Sequence, residues 1–147
     1  MTVHHVNRSA LVPYSVEEMY RLVADIEAYP RFLPWCSAAT VHSRDDARVD
    51  ASLEVSKAGF HQSFRTSATL APHEGIHLEL ISGPFRDFEG GWRFTELGDE
   101  GSKVAFELRF EFANTLVNAM FAGFFEHACN SLVDAFSVRA VEIYGVR

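Results

Sequence analysis

With 147 residues, 48% of them apolar, the chain has material for one hydrophobic core and fits a single domain spanning residues 1–147. Its formal charge of -7 works against general attraction to nucleic acid, so any RNA or ribosome contact needs a local basic patch or a protein surface on the partner. Cys36 and Cys129 are too few and too far apart for a disulfide scaffold, and the absence of a secretory segment or a 20-residue apolar run makes the cytoplasm the default compartment.

The chain opens with an expected edge strand, His4 to Val12, which Pro13-Tyr14-Ser15 turns into a helix. Ser15 followed by Glu18 is a capping-box arrangement, and Val16, Met19, Tyr20 and Val23 form an apolar stripe behind it. A second short helix over Glu27 to Arg31 is closed by Pro34, because proline lacks the backbone donor. The period then changes to two. Val49, Ala51, Leu53 and Val55 alternate with polar residues as in a strand with one dry face. Gly59 marks a turn before Phe60, Phe64, Ala68 and Leu70, with Gln62 and Thr66 at the same inward parity. Inward polar groups are costly without partners, so these two bind each other, a water or a polar ligand group, or sit at satisfied core positions. Further strands are expected at Ile76 to Ser82 and Gly91 to Leu97, joined through Gly83-Pro84 and Phe85 to Gly90. In the next, Val104, Phe106, Leu108, Phe110 and Phe112 share one face, and Glu107, Arg109 and Glu111 form a charged ladder on the other. Leu116 to Tyr144 reads as one amphipathic helix about 40 Å long, capped by Asn114 or Thr115 and stopped by Gly145. Its buried stripe is Phe121, Phe125, Ala128, Cys129, Leu132 and Phe136. Leu116, Val117, Met120 and Phe124 make its first turns apolar on nearly every side, as at a buried junction with the core or in the lining of a cavity. The order of strand, two short helices, about six antiparallel strands and a long helix makes an α+β domain whose curved sheet grips its terminal helix.

Leu11-Val12-Pro13-Tyr14-Ser15, Tyr29-Pro30-Arg31-Phe32-Leu33-Pro34-Trp35-Cys36, Val55-Ser56-Lys57-Ala58-Gly59, Ser82-Gly83-Pro84-Phe85, Gly90-Gly91-Trp92-Arg93-Phe94 and Phe110-Glu111-Phe112 together resemble one branch of the START-related, polyketide cyclase-like superfamily. That branch contains the bacterial ribosome-association toxin RatA and the mitochondrial coenzyme Q-binding START-like proteins. The resemblance implies a helix-grip fold, with a curved antiparallel sheet wrapped around the long C-terminal helix. It also implies non-enzymatic binding of a hydrophobic polyprenyl lipid, a ubiquinone-like molecule above all, in support of respiration. The alternative it carries is a RatA-like toxin of the toxin–antitoxin class that binds the large ribosomal subunit and blocks subunit association. A polyketide cyclase-like enzyme ranks below both. Trp35 stands where the toxin's pattern has a small residue, and Trp-Cys there is more like the coenzyme Q branch.

The aromatic segment Tyr29, Phe32, Leu33 and Trp35, stiffened by prolines, either plugs the open end of the core or forms a mouth for an isoprenoid tail. Phe60, Phe64, Phe85, Trp92, Phe106, Phe121 and Phe125 are the candidate wall. Each buried methylene would contribute roughly 0.8 kcal/mol, so no charged anchor is required. Lys57, Arg65, Arg86 and Arg93 are candidate ribosome contacts through phosphate. Transient membrane contact for lipid exchange is compatible with this reading; DNA binding is not expected. Catalytic and metal signals are poor. His73 and His77 lie on a turn and strand, His127 and Cys129 sit about 200° apart on the helix wheel, and nothing requires His42 to meet His61. Tyr14, Tyr29 or His61 would have to supply acid-base chemistry if the protein were an enzyme. No cofactor is obligatory on this reading, beyond ubiquinone or a related lipid as ligand.

Overall fold

In the computed structural model, which describes residues 3–147, seven strands form a single antiparallel sheet. They are β1 (His4–Val12), β2 (Cys36–Arg44), β3 (Arg48–Lys57), β4 (Phe60–Ala71), β5 (Gly75–Ser82), β6 (Phe85–Glu96) and β7 (Ser102–Phe112). Between β1 and β2 lie helix α1 (Val16–Ala24) and a 3-10 turn (Ile26–Arg31), and two helices, α2 (Thr115–Asn130) and α3 (Leu132–Tyr144), end the described chain. The spatial order β1-β7-β6-β5-β4-β3-β2 is a meander closed at one side by the N-terminal strand.

Two expectations about this architecture are corrected. The sheet is open: among the described residues β1 pairs only with β7 and β2 only with β3, so it does not wrap around the C-terminal segment. Nor is that segment one helix. Ser131 ends α2 with its backbone N–H turned back to the carbonyls of His127 and Ala128, while its hydroxyl donates to Ala128 O at 2.7 Å and Asn130 Nδ2 donates to Glu126 O at 3.1 Å. Such side chains compete with the helix for its own carbonyls, and the axis is interrupted there. The two shorter helices lie on one face of an open sheet. The buried stripe of Phe121, Phe125, Ala128, Cys129, Leu132 and Phe136 is nevertheless continuous across the break.

Local chemistry accounts for the other boundaries. Ser15 Oγ accepts from Glu18 N at 3.1 Å and Ser15 N donates to Glu18 Oε1 at 3.0 Å, completing the capping box of α1. Ala58 and Gly59, at φ 47° and 88°, form the two-residue β3–β4 turn between Lys57 and Phe60, where positive φ at both central positions matches the strand twist. β6 begins at Phe85, earlier than expected: Gly90 and Gly91 lie within the ladder, opposite Leu108 and Glu107. Residues 85–90 are thus strand rather than a connection, because the paired glycines that resemble a turn in sequence mark a close approach of neighbouring backbones.

The outer face of the sheet is polar. Arg109 donates to Asp87 Oδ2 at 2.6 Å and to Glu89 Oε1 at 3.3 Å, so the charged ladder runs mainly between β6 and β7. At the opposite side of the molecule the chain end is fastened to α1. Arg147 donates to both carboxylate oxygens of Glu18 at 2.5 and 2.6 Å, Tyr144 Oη donates to Glu18 O at 3.0 Å, and Tyr14 Oη to Gly145 O at 2.6 Å.

The Arg147 guanidinium and the Ser15 backbone donor hold the Glu18 carboxyl at about 2, below its ordinary 4.5. A depressed folded-state value contributes stability that is complete above pH about 4.5 and is lost as the pH falls toward 2. Thermal unfolding followed by circular dichroism should show the midpoint falling through this window. Glu18→Gln should flatten that fall while lowering the midpoint at pH 7; a variant with the parent's acid profile would contradict the role assigned to this carboxylate.

Candidate functional site

Small side chains make room inside this fold. On the inner face, Ala51 of β3 lies opposite Thr66 of β4, and Val49 opposite Ala68, so the centre of the β3–β4 pair carries little bulk. The helices facing it contribute Cys129 and Leu132, with Phe125 on one side and Phe136 on the other. A cavity remains. Its wall is completed by Val23, Ala24, Ile26 and Tyr29 from the N-terminal helical segment, by Leu53, Leu70, Ile76, Leu78, Phe88, Trp92 and Leu108 from the sheet, and by Trp35, Phe64 and Phe106. The cavity has a volume of about 80 Å³. At ~10–15 Å³ per water this is room for on the order of six waters, the bulk of one ring system rather than of a whole polyprenyl chain. Among the described residues no charged side chain lines it. The fold thus holds a small pocket for a hydrophobic ligand.

The candidate ligand residues divide into two sets. Tyr29, Trp35, Phe64, Trp92, Phe106 and Phe125 all reach the cavity wall. Phe85 and Phe121 are buried beside it, Phe85 in contact with Phe64, Phe88, Phe110, Phe112 and Phe125, and Phe121 against Phe112 and Phe124. Leu33 is fully buried, whereas Phe32 packs edge-on to Tyr29 and Phe136 with Arg139 over its ring. Phe60 is 55% exposed at the hairpin tip, beyond the cover of the helices. Leu116 and Met120, expected in a buried junction or cavity lining, are likewise exposed, while Val117 and Phe124 are half-buried.

Trp35 has a second face. It also borders an outer groove whose lining mixes apolar Leu33, Pro34, Phe124 and Val138 with polar Lys57, His127, Ser131 and Asp134. The indole is therefore a partition between the cavity and this groove. Sequence reasoning missed the aliphatic and small part of the wall. Phe88 escaped because it lay in a supposed connection; Ala51, Ala68 and Cys129 escaped because a search for bulky aromatics cannot find residues that act by being small.

The ionisable groups of the wall are held neutral. Burial pushes the Tyr29 phenol far up, with the nearby Cys36 and Asp25 adding to the effect, and its hydroxyl donates to Val23 O. Burial also pushes the Cys129 thiol up, with Glu126 adding to it. Cys36, just outside, is raised to about 11, by burial first, with the backbone of Ala38 lowering it and Glu54 adding to the rise. The histidines are distributed elsewhere. His42 bonds Ser52 at 2.7 Å and His61 bonds Ser56 at 2.7 Å, so each is held by a different serine of β3. His77 lies 3.4 Å from Glu89, and His73 stacks edge-on to Tyr20. Among the described residues no three His, Cys, Asp or Glu side chains cluster as a metal site. No described helix is long and apolar enough to cross a membrane.

The four candidate cations do not form one patch. Arg65 is committed to Asp50 by two bonds of 2.6 Å, and Arg86 lies 3.7 Å from Glu111. Lys57 sits 5.3 Å above the Phe124 ring, and among the described residues no carboxylate lies in ion-pair range of Lys57 or Arg93. The register sets Lys57 at the β3–β4 hairpin and Arg93 toward the other end of the sheet, opposite Ala105 and Gly75.

The family model described as polyketide cyclase / dehydrase and lipid transport matches residues 12–137. Ribosome association toxin RatA of Escherichia coli (strain K12) is 41% identical over 142 residues, which cover 97% of this chain and 90% of the toxin. A mitochondrial coenzyme Q-binding protein of Xenopus laevis is 29% identical over 144 residues, covering 95% of this chain and 59% of that protein. Among solved structures, a crystal structure of a Thermus thermophilus protein has a TM-score of 0.81 at 19% identity and covers 95% of this chain and 98% of its own, which shows the common fold.

Phe136 is fully buried, with the rings of Tyr29, Phe32 and Trp92 around it, whereas Trp35 is only half-buried. In urea unfolding, Phe136→Ala should cost about 3–5 kcal/mol and Trp35→Ala distinctly less. Equal losses would show that Trp35 is a core plug rather than a partition.

Proposed function

The chain belongs to the RatA branch of the polyketide cyclase / dehydrase and lipid transport family, and from that membership we propose that it is a ribosome-associating protein of the RatA type, binding the large subunit and keeping it from joining the small one. The observation that carries this reading is 41% identity sustained over 142 residues, nearly the full length of both chains. Its net charge of -7 restricts the contact to a local surface. Lys57 and Arg93 are the two candidate cations left free to meet phosphate, while Arg65 and Arg86 hold carboxylates of the protein itself. Sucrose-gradient sedimentation of ribosomes with added protein is the test. Free subunits should accumulate and the protein should travel with the large one; an unchanged gradient without co-sedimentation would reject the reading. Lys57→Glu and Arg93→Glu should each weaken co-sedimentation roughly tenfold if they touch phosphate.

The cavity favours a second reading that is compatible with the first: binding of a neutral hydrophobic molecule with a ubiquinone-like head. An uncharged wall of aromatic and aliphatic side chains supports it, as does the 29% identity to a coenzyme Q-binding protein. The space suits a ring, with any tail leaving past Trp35 into the outer groove. Binding rather than turnover is the inferred activity, because Tyr29 and Cys129 are held protonated and Thr66 is a poor proton carrier. Lipid mass spectrometry of the natively purified protein should recover a quinone or other isoprenoid in a reproducible ratio to protein. Trp35→Ala should reduce that ratio severalfold; protein that is empty and takes up no short-tail quinone would exclude this second function.

A further inference from the structure

Three polar or charged residues of the described chain are more than nine-tenths buried: Thr66 at 8%, Ser102 at 0% and Glu111 at 9% exposure. Two have visible partners. Ser102 Oγ donates to Tyr14 O at 2.8 Å, and Glu111 has Arg86 at 3.7 Å. Thr66 is different: no hydrogen bond among the described residues engages its hydroxyl, and its side chain forms part of the cavity wall. It lies on β4 between Ala51 of β3 and Leu80 of β5, and between Phe64 and Ala68 along its own strand. The small Ala51 and Ala68 leave space over the hydroxyl.

Unlike the Ser67 hydroxyl, which is sealed off without a partner, the Thr66 hydroxyl is not closed off by protein atoms, so a ligand carrying an acceptor gains both by its apolar contacts and by the bond this group can donate. The rest of the wall narrows the choice. The Tyr29 hydroxyl is already used on Val23 O, and the other polar side-chain atoms are the indole N–H groups of Trp35 and Trp92 and the Cys129 thiol. All of these are neutral donors or weakly polar. Nothing in the wall would neutralise a carboxylate or phosphate carried inside, and burying an unpaired anion costs far more than the apolar contacts of one ring return.

We propose that the cavity selects an uncharged, ring-sized hydrophobe bearing a carbonyl oxygen, oriented by a hydrogen bond donated from Thr66 Oγ1, and excludes anionic lipids such as fatty acids. This rests on the second reading above, that the cavity takes a hydrophobic ligand, and adds to it the ligand's charge state and the residue that sets its orientation.

Three probes of similar shape separate the elements of this claim: acetophenone, ethylbenzene and benzoate, titrated into the full chain and followed by backbone amide chemical shifts. Acetophenone should bind about five- to tenfold more tightly than ethylbenzene, the worth of one hydrogen bond to a buried donor, and benzoate should not bind in the cavity. Thr66→Val, which keeps the shape and removes the hydroxyl, should abolish the difference between ketone and hydrocarbon while leaving ethylbenzene binding at least as tight. Equal binding of ketone and hydrocarbon by the parent, a ketone preference that survives Thr66→Val, or benzoate binding as well as acetophenone would each overturn the inference while leaving a hydrophobic cavity in place. Failure of all three probes would overturn the cavity reading itself, and the ribosome gradient would be unaffected by that result.

Discussion

The distance between the helices and the sheet is set by two aromatic contacts, and most of the interior follows from them. Phe125 of α2 meets Phe64, Phe85, Phe110 and Phe112, a cluster that fills one end of the space beneath the helices. Phe136 of α3 meets Tyr29, Phe32 and Trp92 at the other. The two phenylalanines stand eleven positions apart, about 16 Å of helix if it were straight. Aromatic rings cannot be compressed, so they act as pillars; the residues between them, Cys129 and Leu132 above and Ala51, Thr66 and Ala68 below, are too small to meet. A protein interior packs to crystal-like density wherever it can, and here its own pillars prevent that.

The same arrangement explains why an open sheet suffices. A closed wrap would be needed if one long helix had to be covered on several sides. The interruption at Ser131 instead lets each of the two helices present its own apolar stripe to one sheet face, while α1 and the 3-10 turn cover the end near Tyr29. The tie of Arg147 and Tyr144 to Glu18 then joins the end of α3 to the start of α1. The outer sheet face is left to ion pairs such as Arg109 with Asp87 and Arg65 with Asp50, which consume cations that could otherwise meet a nucleic acid. Lys57 and Arg93 escape this pairing.

Much of this was legible in the residues. Strict alternation located β3 and β7, and an alternation interrupted by Gln62 and Thr66 located β4; the Ser15 and Glu18 spacing located α1; the buried stripe from Phe121 to Phe136 identified the helix face that meets the sheet. What could not be read has physical reasons. β2 carries Ser37, Ala38, Ala39, Thr40, His42 and Ser43, and with its outer edge unpaired it needs little apolar alternation, so no period announced it. The break at Ser131 depends on side chains bonding backbone carbonyls, which a hydrophobic wheel ignores. Exposure of Phe60, Leu116 and Met120 depends on where the helical cover ends, a tertiary fact. The site was half visible for the same reason: bulky wall residues such as Trp92 and Phe106 stand out in a sequence, whereas a cavity is defined equally by Ala51 and Ala68. Thr66 was visible as an inward polar residue, and its lack of a partner became evident only in three dimensions.

The central claim is that the aromatic pillars leave a persistent apolar space between Phe125 and Phe136. Diffraction from crystals of the protein pressurised with xenon tests it directly, since xenon enters dry apolar cavities and scatters strongly. The account expects a xenon site bounded by Ala51, Ala68, Cys129 and Trp92, with Phe125 and Phe136 unmoved. Crystals that take up no xenon there, with Trp35 or Trp92 turned inward to fill the space, would contradict it.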